Sequence, residues 1–253
     1  MTMTNTIALF AILWLSLVCQ CTEAFSTKHL SPTSSRPLTC INSAKQTDVD
    51  SLKSEIDSNL ALLTRAAETK MEDSDEVYEA LSDLEQQMRQ YAKADEAVAS
   101  QMKDQLTGSW RLIFTTGTAN TQKRRGGQRI NYFPIKAVQS FDTTVEPNTI
   151  ENGIYFGDFE ALKFGGEMEF DLRKRRLEFD FDKISLFNSL FTIPLKKGEA
   201  ASLGAKSGLG SESNVANAEK KAKAAFFNWI SADGQIATAR GGGGGLALWK
   251  RIQ

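Results

Sequence analysis

The sequence predicts a mostly β protein, an antiparallel up-and-down β-barrel preceded by a helical hairpin. Three observations lead there. Composition changes abruptly near residue 105: residues 48–105 contain no Gly, Pro, Phe or Trp, whereas all 18 glycines and 13 of the 15 phenylalanines come later. Apolar and polar residues then alternate strictly. Met168, Phe170 and Leu172 alternate with Glu167, Glu169 and Asp171, and Leu177, Phe179 and Phe181 with Glu178, Asp180 and Asp182, the pattern of strands with one buried and one wet face. Finally, eight or nine such segments follow one another with no helix between them.

In chain order, Val49, Leu52, Ile56, Leu60 and Leu63 recur at helical spacing, which predicts a first helix. A turn at Thr69–Ser74 follows. A second helix is expected over Asp75–Met102, with Val77, Leu81, Leu84, Met88 and Tyr91 on one face and Asp73 and Glu76 as its capping pair. Strands are expected where Trp110, Leu112 and Phe114 alternate with Arg111, Ile113 and Thr115. Others are expected near 129–133, 137–145, 149–156, 189–195, 226–230, 235–239 and 246–251. Arg173–Arg176 reads as a basic hairpin turn and Gly241–Gly245 as another. Residues 196–222, rich in Gly, Ser, Ala and Lys, read as a long loop with a short helix near Ala216–Ala224. Charge divides at the same boundary: residues 48–105 carry 15 acids and 6 bases, residues 106–253 carry 15 acids and 21 bases. An acidic hairpin beside a basic barrel is either two solvated faces or a docking element.

The rare residues are confined to the start. Cys19, Cys21, Cys40 and His29 all precede residue 48, and nothing beyond carries Cys or His. Residues 1–24 read as a signal peptide, with an apolar run from Ile7 to Val18 and small residues Thr22 and Ala24 before a cut at Phe25. Residues 25–47 hold nine Ser/Thr, three Lys/Arg and no acid, the composition of a transit peptide. The pair is similar to the two-part presequence of algae whose plastids have extra membranes; an ordinary secreted protein with a polar linker is the alternative. Without the leader, a Cys/His zinc site, a Cys nucleophile, a Ser-His-Asp triad and a His base are all excluded. The expectation is a non-enzymatic binder with no metal or cofactor.

The run Leu106-Thr107-Gly108-Ser109-Trp110-Arg111-Leu112-Ile113-Phe114-Thr115-Thr116 resembles the opening signature of the plastid lipid-associated proteins, or fibrillins. Gln139-Ser140-Phe141-Asp142 with Asn152-Gly153 resembles the second block of that family, and Trp229–Gly241 with Leu246–Arg251 its closing hairpin. The five-glycine run Gly241–Gly245 is longer than the usual closing turn, and residues 196–222 are poorly covered. The resemblance implies a lipocalin-like barrel in plastids, associated with thylakoids or lipid globules (plastoglobules) and binding carotenoids, quinones or other isoprenoids, with no catalytic residues to carry over.

Candidate site residues follow. Gly108 and Trp110 fit a barrel floor, with Lys250 or Arg251 packing a cation across the indole. Phe114, Tyr132, Tyr155, Phe156, Phe170, Phe179 and Phe181 are the expected lining of a ligand cavity, against the alternative of a filled core. Lys123, Arg124 and Arg125, in a glycine-flanked loop, are candidates for contact with anionic lipid heads. Nucleic acid is not expected, because no stacking motif accompanies the basic run. Gly241–Gly245 is not a phosphate loop, since no Gly-Lys-Ser/Thr follows. Arg240 is expected against an inward carboxylate. The alternating carboxylates face water. The function expected is binding or storage of hydrophobic isoprenoids at thylakoid or plastoglobule surfaces. The alternative is a scaffold that docks an enzyme or thylakoid complex through residues 48–105.

Overall fold

A computed structural model of the chain describes residues 41–95, 97–196, 199–200 and 224–252. The proposed signal peptide, most of the transit-like segment and most of the loop 196–222, with its expected short helix, lie outside the described residues.

Helix α1 (Ile41–Thr69) starts within the transit-like segment, seven residues before the composition boundary at 48. It buries Ile56, Leu63, Ala66 and Ala67. After the turn, Asp73 caps α2 (Ser74–Ala94): its carboxylate accepts from the Asp75 and Glu76 amides at 2.8 and 3.2 Å. Val77, Ala80, Leu81, Leu84 and Met88 form the buried face.

The expected second helix is in fact two. Asp95 turns extended (φ −132°, ψ 104°), and its carboxylate takes the Ala97 amide at 2.9 Å. An aspartate that bonds nearby backbone competes with helix continuation. The chain restarts as α3 (Val98–Leu106), which buries Val98, Met102 and Leu106.

Ten strands follow: β1 (Gly108–Thr115), β2 (Asn131–Tyr132), β3 (Lys136–Asp142), β4 (Thr149–Phe156), β5 (Phe159–Asp171), β6 (Arg176–Leu186), β7 (Phe191–Pro194), β8 (Ala225–Ala232), β9 (Ile236–Gly241) and β10 (Leu246–Arg251). A short helix, α4 (Ala119–Arg124), interrupts the strand series after β1, contrary to the expectation of none. Strand order is β10-β9-β8-β6-β5-β4-β3-β1, and β1 pairs back onto β10. Eight strands therefore form a closed antiparallel ring, with β2 attached to β1 and β7 to β6. Closure leaves the eight ring strands without a free edge along most of their length.

β5 begins at Phe159, well before the alternating run. Its first half does not alternate visibly because most of it is buried and because register slips at a bulge between Gly165 and Gly166.

The helices lie against β8, β9 and β10. Their buried leucines belong to the same apolar cluster as the barrel's inner and outer faces. Arg175, in the β5–β6 turn, donates to the Met88 carbonyl of α2 at 3.4 Å. The hairpin is therefore a cover on the barrel wall, and its burial is mutual. Leu81→Ala, a fully buried position, is expected to lower stability by about 2–5 kcal/mol. In urea denaturation, helical and aromatic circular dichroism signals should be lost together in one transition. A separate early helical transition would contradict the shared core.

Candidate functional site

The barrel has two unlike ends, set by antiparallel topology. At the first, Trp110 on β1 buries its ring and donates Nε1–H to the Leu106 carbonyl at 2.8 Å. Arg251 on β10, paired with Trp110 in register, lies over the indole with its guanidinium carbon 4.2 Å from the ring centre. It also donates to the Thr107 carbonyl at 2.8 Å and to the carbonyl of Gln105. Lys250 pairs with Arg111 and alternates onto the other face. Gly108 sits at φ 128°, which an L side chain resists. This end is a plug of indole, guanidinium and helix C-terminus.

Between the ends the interior is packed with rings. Phe141 meets Trp229 edge-on at 5.5 Å, and Trp229 meets Trp249 at 5.4 Å. Trp249 meets Phe227 at 5.6 Å, and Phe227 stacks on Phe179 at 5.4 Å. Phe179 and Phe181 lie 5.3 Å apart, and Phe181 and Phe164 5.4 Å apart. A gap of about 10 Å³ remains beside Leu112, Gln139, Phe227 and Trp249, room for one water. Gln139 and Asn152 face each other across β3 and β4. Both are almost fully buried, and all four side-chain polar atoms lack a partner among the described residues. A buried amide without partners destabilises; a single water in the adjoining gap suits Gln139.

Several expected lining residues lie elsewhere. Phe114 is buried but outside the barrel. A bulge between Leu112 and Phe114 makes Leu112 pair with Trp249 and Phe114 with the neighbouring Leu248, so alternation flips and Phe114 turns to the outer face. There it meets Tyr132 edge-on at 5.4 Å. Tyr132 donates its hydroxyl to the Glu72 carbonyl at 2.8 Å, tying the strand to the α1–α2 turn.

Tyr155 also points outward. Gly153 leaves room for its ring, since a Cβ there would stand 2.5 Å from it. Its hydroxyl donates to Glu160 at 3.4 Å. Burial, then the charge and hydrogen bond of Glu160 and the charge of Glu151, push that hydroxyl up to about 12, so it is no base at neutral pH.

Phe156 is 43% exposed at the tip of the β4–β5 hairpin, and Phe170 is half-buried at the opposite end of β5. Phe179 and Phe181 are interior. The interior residues that sequence reasoning missed are Phe141, Phe164, Phe227, Trp229 and Trp249; alternation about Asn228 could have found Phe227 and Trp229, whereas Leu246–Trp249 is apolar throughout and carries no such signal.

The second end carries the turns and hairpin tips. Gly241–Gly245 folds over it, with the Gly241 amide donating to Gly245 and the Ala119 amide to Gly243, at 2.9 and 3.1 Å. A Cβ on Gly245 would stand 2.5 Å from the Gly117 carbonyl oxygen, so the glycine is required by close backbone approach. Lys123 and Arg124 occupy the last turn of α4, not a loop. Arg125 caps that helix, and the side chains of Lys123 and Arg125 are exposed.

At the same end of the strands the β4–β5 and β6–β7 hairpins present exposed Phe156, Phe159, Phe187, Leu190 and Phe191. Phe187, Asn188 and Ser189 all have positive φ (55°, 55° and 60°), at about 1–2 kcal/mol each for a non-glycine residue. The turn is held because Asn188 accepts the Glu160 amide at 2.8 Å and Ser189 donates to the Glu160 carboxylate at 3.1 Å.

Arg240 faces α2 rather than an inward carboxylate. It donates to both Glu85 oxygens at 2.5–3.0 Å and to the Gly244 carbonyl at 2.6 Å. Arg129 pairs with Asp75 and stacks on Tyr78 at 4.2 Å. Both guanidiniums line a polar groove of about 810 Å³. Burial raises the Glu85 pKa, but hydrogen bonds and charge from Arg240 and then Arg89 outweigh it and hold the carboxyl below the ordinary 4.5.

Glu167, Glu169 and Asp182 are exposed, with Asp171, Glu178 and Asp180 partly so, on the outer face. Among the described residues no cluster of three or more Asp, Glu, His or Cys could hold a metal. No described helix is long and apolar enough to cross a membrane.

The family model PAP_fibrillin matches residues 50–248. No curated protein and no solved structure matches the chain.

Two outcomes are expected. Arg251→Lys keeps the charge but loses the fork that serves both the ring and two carbonyls. It should lower stability by about 1–3 kcal/mol, read as a fall in the urea midpoint; an unchanged midpoint would contradict the plug. For Glu85, a folded pKa below the unfolded one stabilises the protein above the ordinary carboxylate range, and that stabilisation disappears as pH falls through the folded value. Glu85→Gln should therefore be less stable than the wild type at pH 7. Its stability should also fall less steeply between about pH 5 and pH 2, measured as thermal midpoints across that range.

Proposed function

From the premise that the chain belongs to the PAP_fibrillin family of plastid lipid-associated proteins, we propose that it is a non-enzymatic plastid protein that binds hydrophobic isoprenoids, carotenoids or quinones, where they lie in thylakoid or plastoglobule surfaces, rather than enclosing one in its barrel. The observation that carries this reading is the filled interior. An isoprenoid needs an elongated apolar cavity of hundreds of Å³, and the gap beside the inner rings is about 10 Å³. Lipid association then falls to the outside of the molecule. The resident acids are solvated or ion-paired and the Tyr155 hydroxyl stays protonated, which supports a binder over a catalyst.

A second reading, docking of a protein partner through the acidic hairpin, gains from the same filled barrel. It also gains from a groove of about 290 Å³ lined by Leu60, Met88, Tyr91, Val98 and Met102. Deleting residues 48–105 cannot separate the two readings, because the hairpin covers the barrel wall.

The test is lipid uptake by the delipidated protein. Mixed with emulsions containing β-carotene or a prenylquinone, it should bind the droplets yet emerge from gel filtration with far less than one pigment per chain. A stable one-to-one soluble complex would overturn the surface reading and require an opened barrel.

A further inference from the structure

We propose that the second end of the barrel, which carries the Gly241–Gly245 turn, α4 and the tips of the β4–β5 and β6–β7 hairpins, docks on a lipid surface bearing anionic head groups. This rests on the proposed function and names the face that performs it.

The tips expose Phe156 (43%), Phe159 (43%), Phe187 (42%), Leu190 (72%) and Phe191 (56%). Among the described residues they stand uncovered while the interior packs ring on ring. Phe159 and Phe187, on different hairpins, stack at 6.3 Å, so the patch is continuous across both tips. A contiguous exposed apolar patch on one end marks a contact surface. The left-handed run Phe187–Ser189 points the same way. It places a phenylalanine, among the residues that most resist positive φ, at the tip, and the surrounding hydrogen bonds to Glu160 fix it there. Strain kept at an exposed aromatic is characteristic of a functional loop.

Charge identifies the partner. The same end carries exposed Lys123 and Arg125. Lys136 reaches the β4–β5 tip, donating to the Gly157 carbonyl and pairing with Asp158, both at 3.2 Å. Two acids of this end have a cationic partner: Asp158 pairs with Lys136, and Glu160 with Lys163 at 3.3 Å. Aromatic tips that enter the acyl boundary, with lysine and arginine at head-group level, suit an anionic lipid surface.

The experiment is flotation of the purified chain with vesicles of phosphatidylcholine containing one-third phosphatidylglycerol, beside pure phosphatidylcholine vesicles. The wild type should float with the anionic vesicles, less at high salt. Phe187→Ser with Phe191→Ser, and separately Phe156→Ser with Phe159→Ser, should each reduce binding at least tenfold with unchanged circular dichroism. Lys123→Glu with Arg125→Glu should reduce binding to anionic vesicles and leave the neutral ones unaffected. If the wild type binds and the aromatic variants bind equally, this face is wrong although surface binding stands. If the wild type binds neither these vesicles nor isoprenoid emulsions, the proposed function fails with it.

Discussion

Closing a small sheet into a ring makes demands on everything inside it. β1 must pair with β3 on one edge and β10 on the other, and the eight strands then enclose a space that side chains can fill. Here they do so with aromatic rings, from Phe141 through the two tryptophans to Phe164. Flat rings in edge-on and tilted contact fill a tapering space without long flexible side chains, and each pair adds attraction beyond its buried area. The filled interior forces the rest of the arrangement. Polar residues caught inside, Gln139 and Asn152, are left without partners among the described residues.

Closure also explains the bulge in β1 and the placement of the helices. The strand carries apolar residues on both faces after Leu112, and the bulge sends Leu112 inward and Phe114 outward. The outer face so created cannot be left to water. The hairpin covers it, with Leu63, Leu81 and Leu84 fully buried in the shared cluster and Tyr132 bonded to the α1–α2 turn. Two ion pairs, Arg240 with Glu85 and Arg129 with Asp75, join basic barrel to acidic hairpin. The opposite charges of the two segments are thus partly spent on each other rather than on a partner.

This shows what could be read from the residues alone. The bounds of β4 and β10 match the expected 149–156 and 246–251; period-two alternation by itself reads the β5–β6 hairpin almost to the residue, because its outer face is wet. It failed where both faces are dry or the register slips, in the first half of β5 and after Leu112. Sequence carries no sign of which side of a bulge a phenylalanine will take, so Phe114 and Tyr132 were assigned to the wrong face. The break at Asp95 was equally hidden, since a helical heptad continues through it and a single side-chain bond to the Ala97 amide decides the matter. Phe156 was misplaced for a different reason: its parity is inward, but it sits at a hairpin tip where the wall has ended.

The last of these errors bears most on function. A phenylalanine with inward parity at the end of a strand has two fates in a barrel. It folds over the mouth as a lid, or it stands clear. Here the Gly241–Gly245 turn already lies over the mouth, and at Gly245 the backbone approaches Gly117 too closely to admit a side chain. Phe156, Phe159, Phe187 and Phe191 stand exposed on two hairpin tips at that same end, with Phe159 and Phe187 stacked across them, and are not displaced core residues. Inward parity at the end of a strand therefore marks a residue of the rim, where the wall has ended, rather than of the interior.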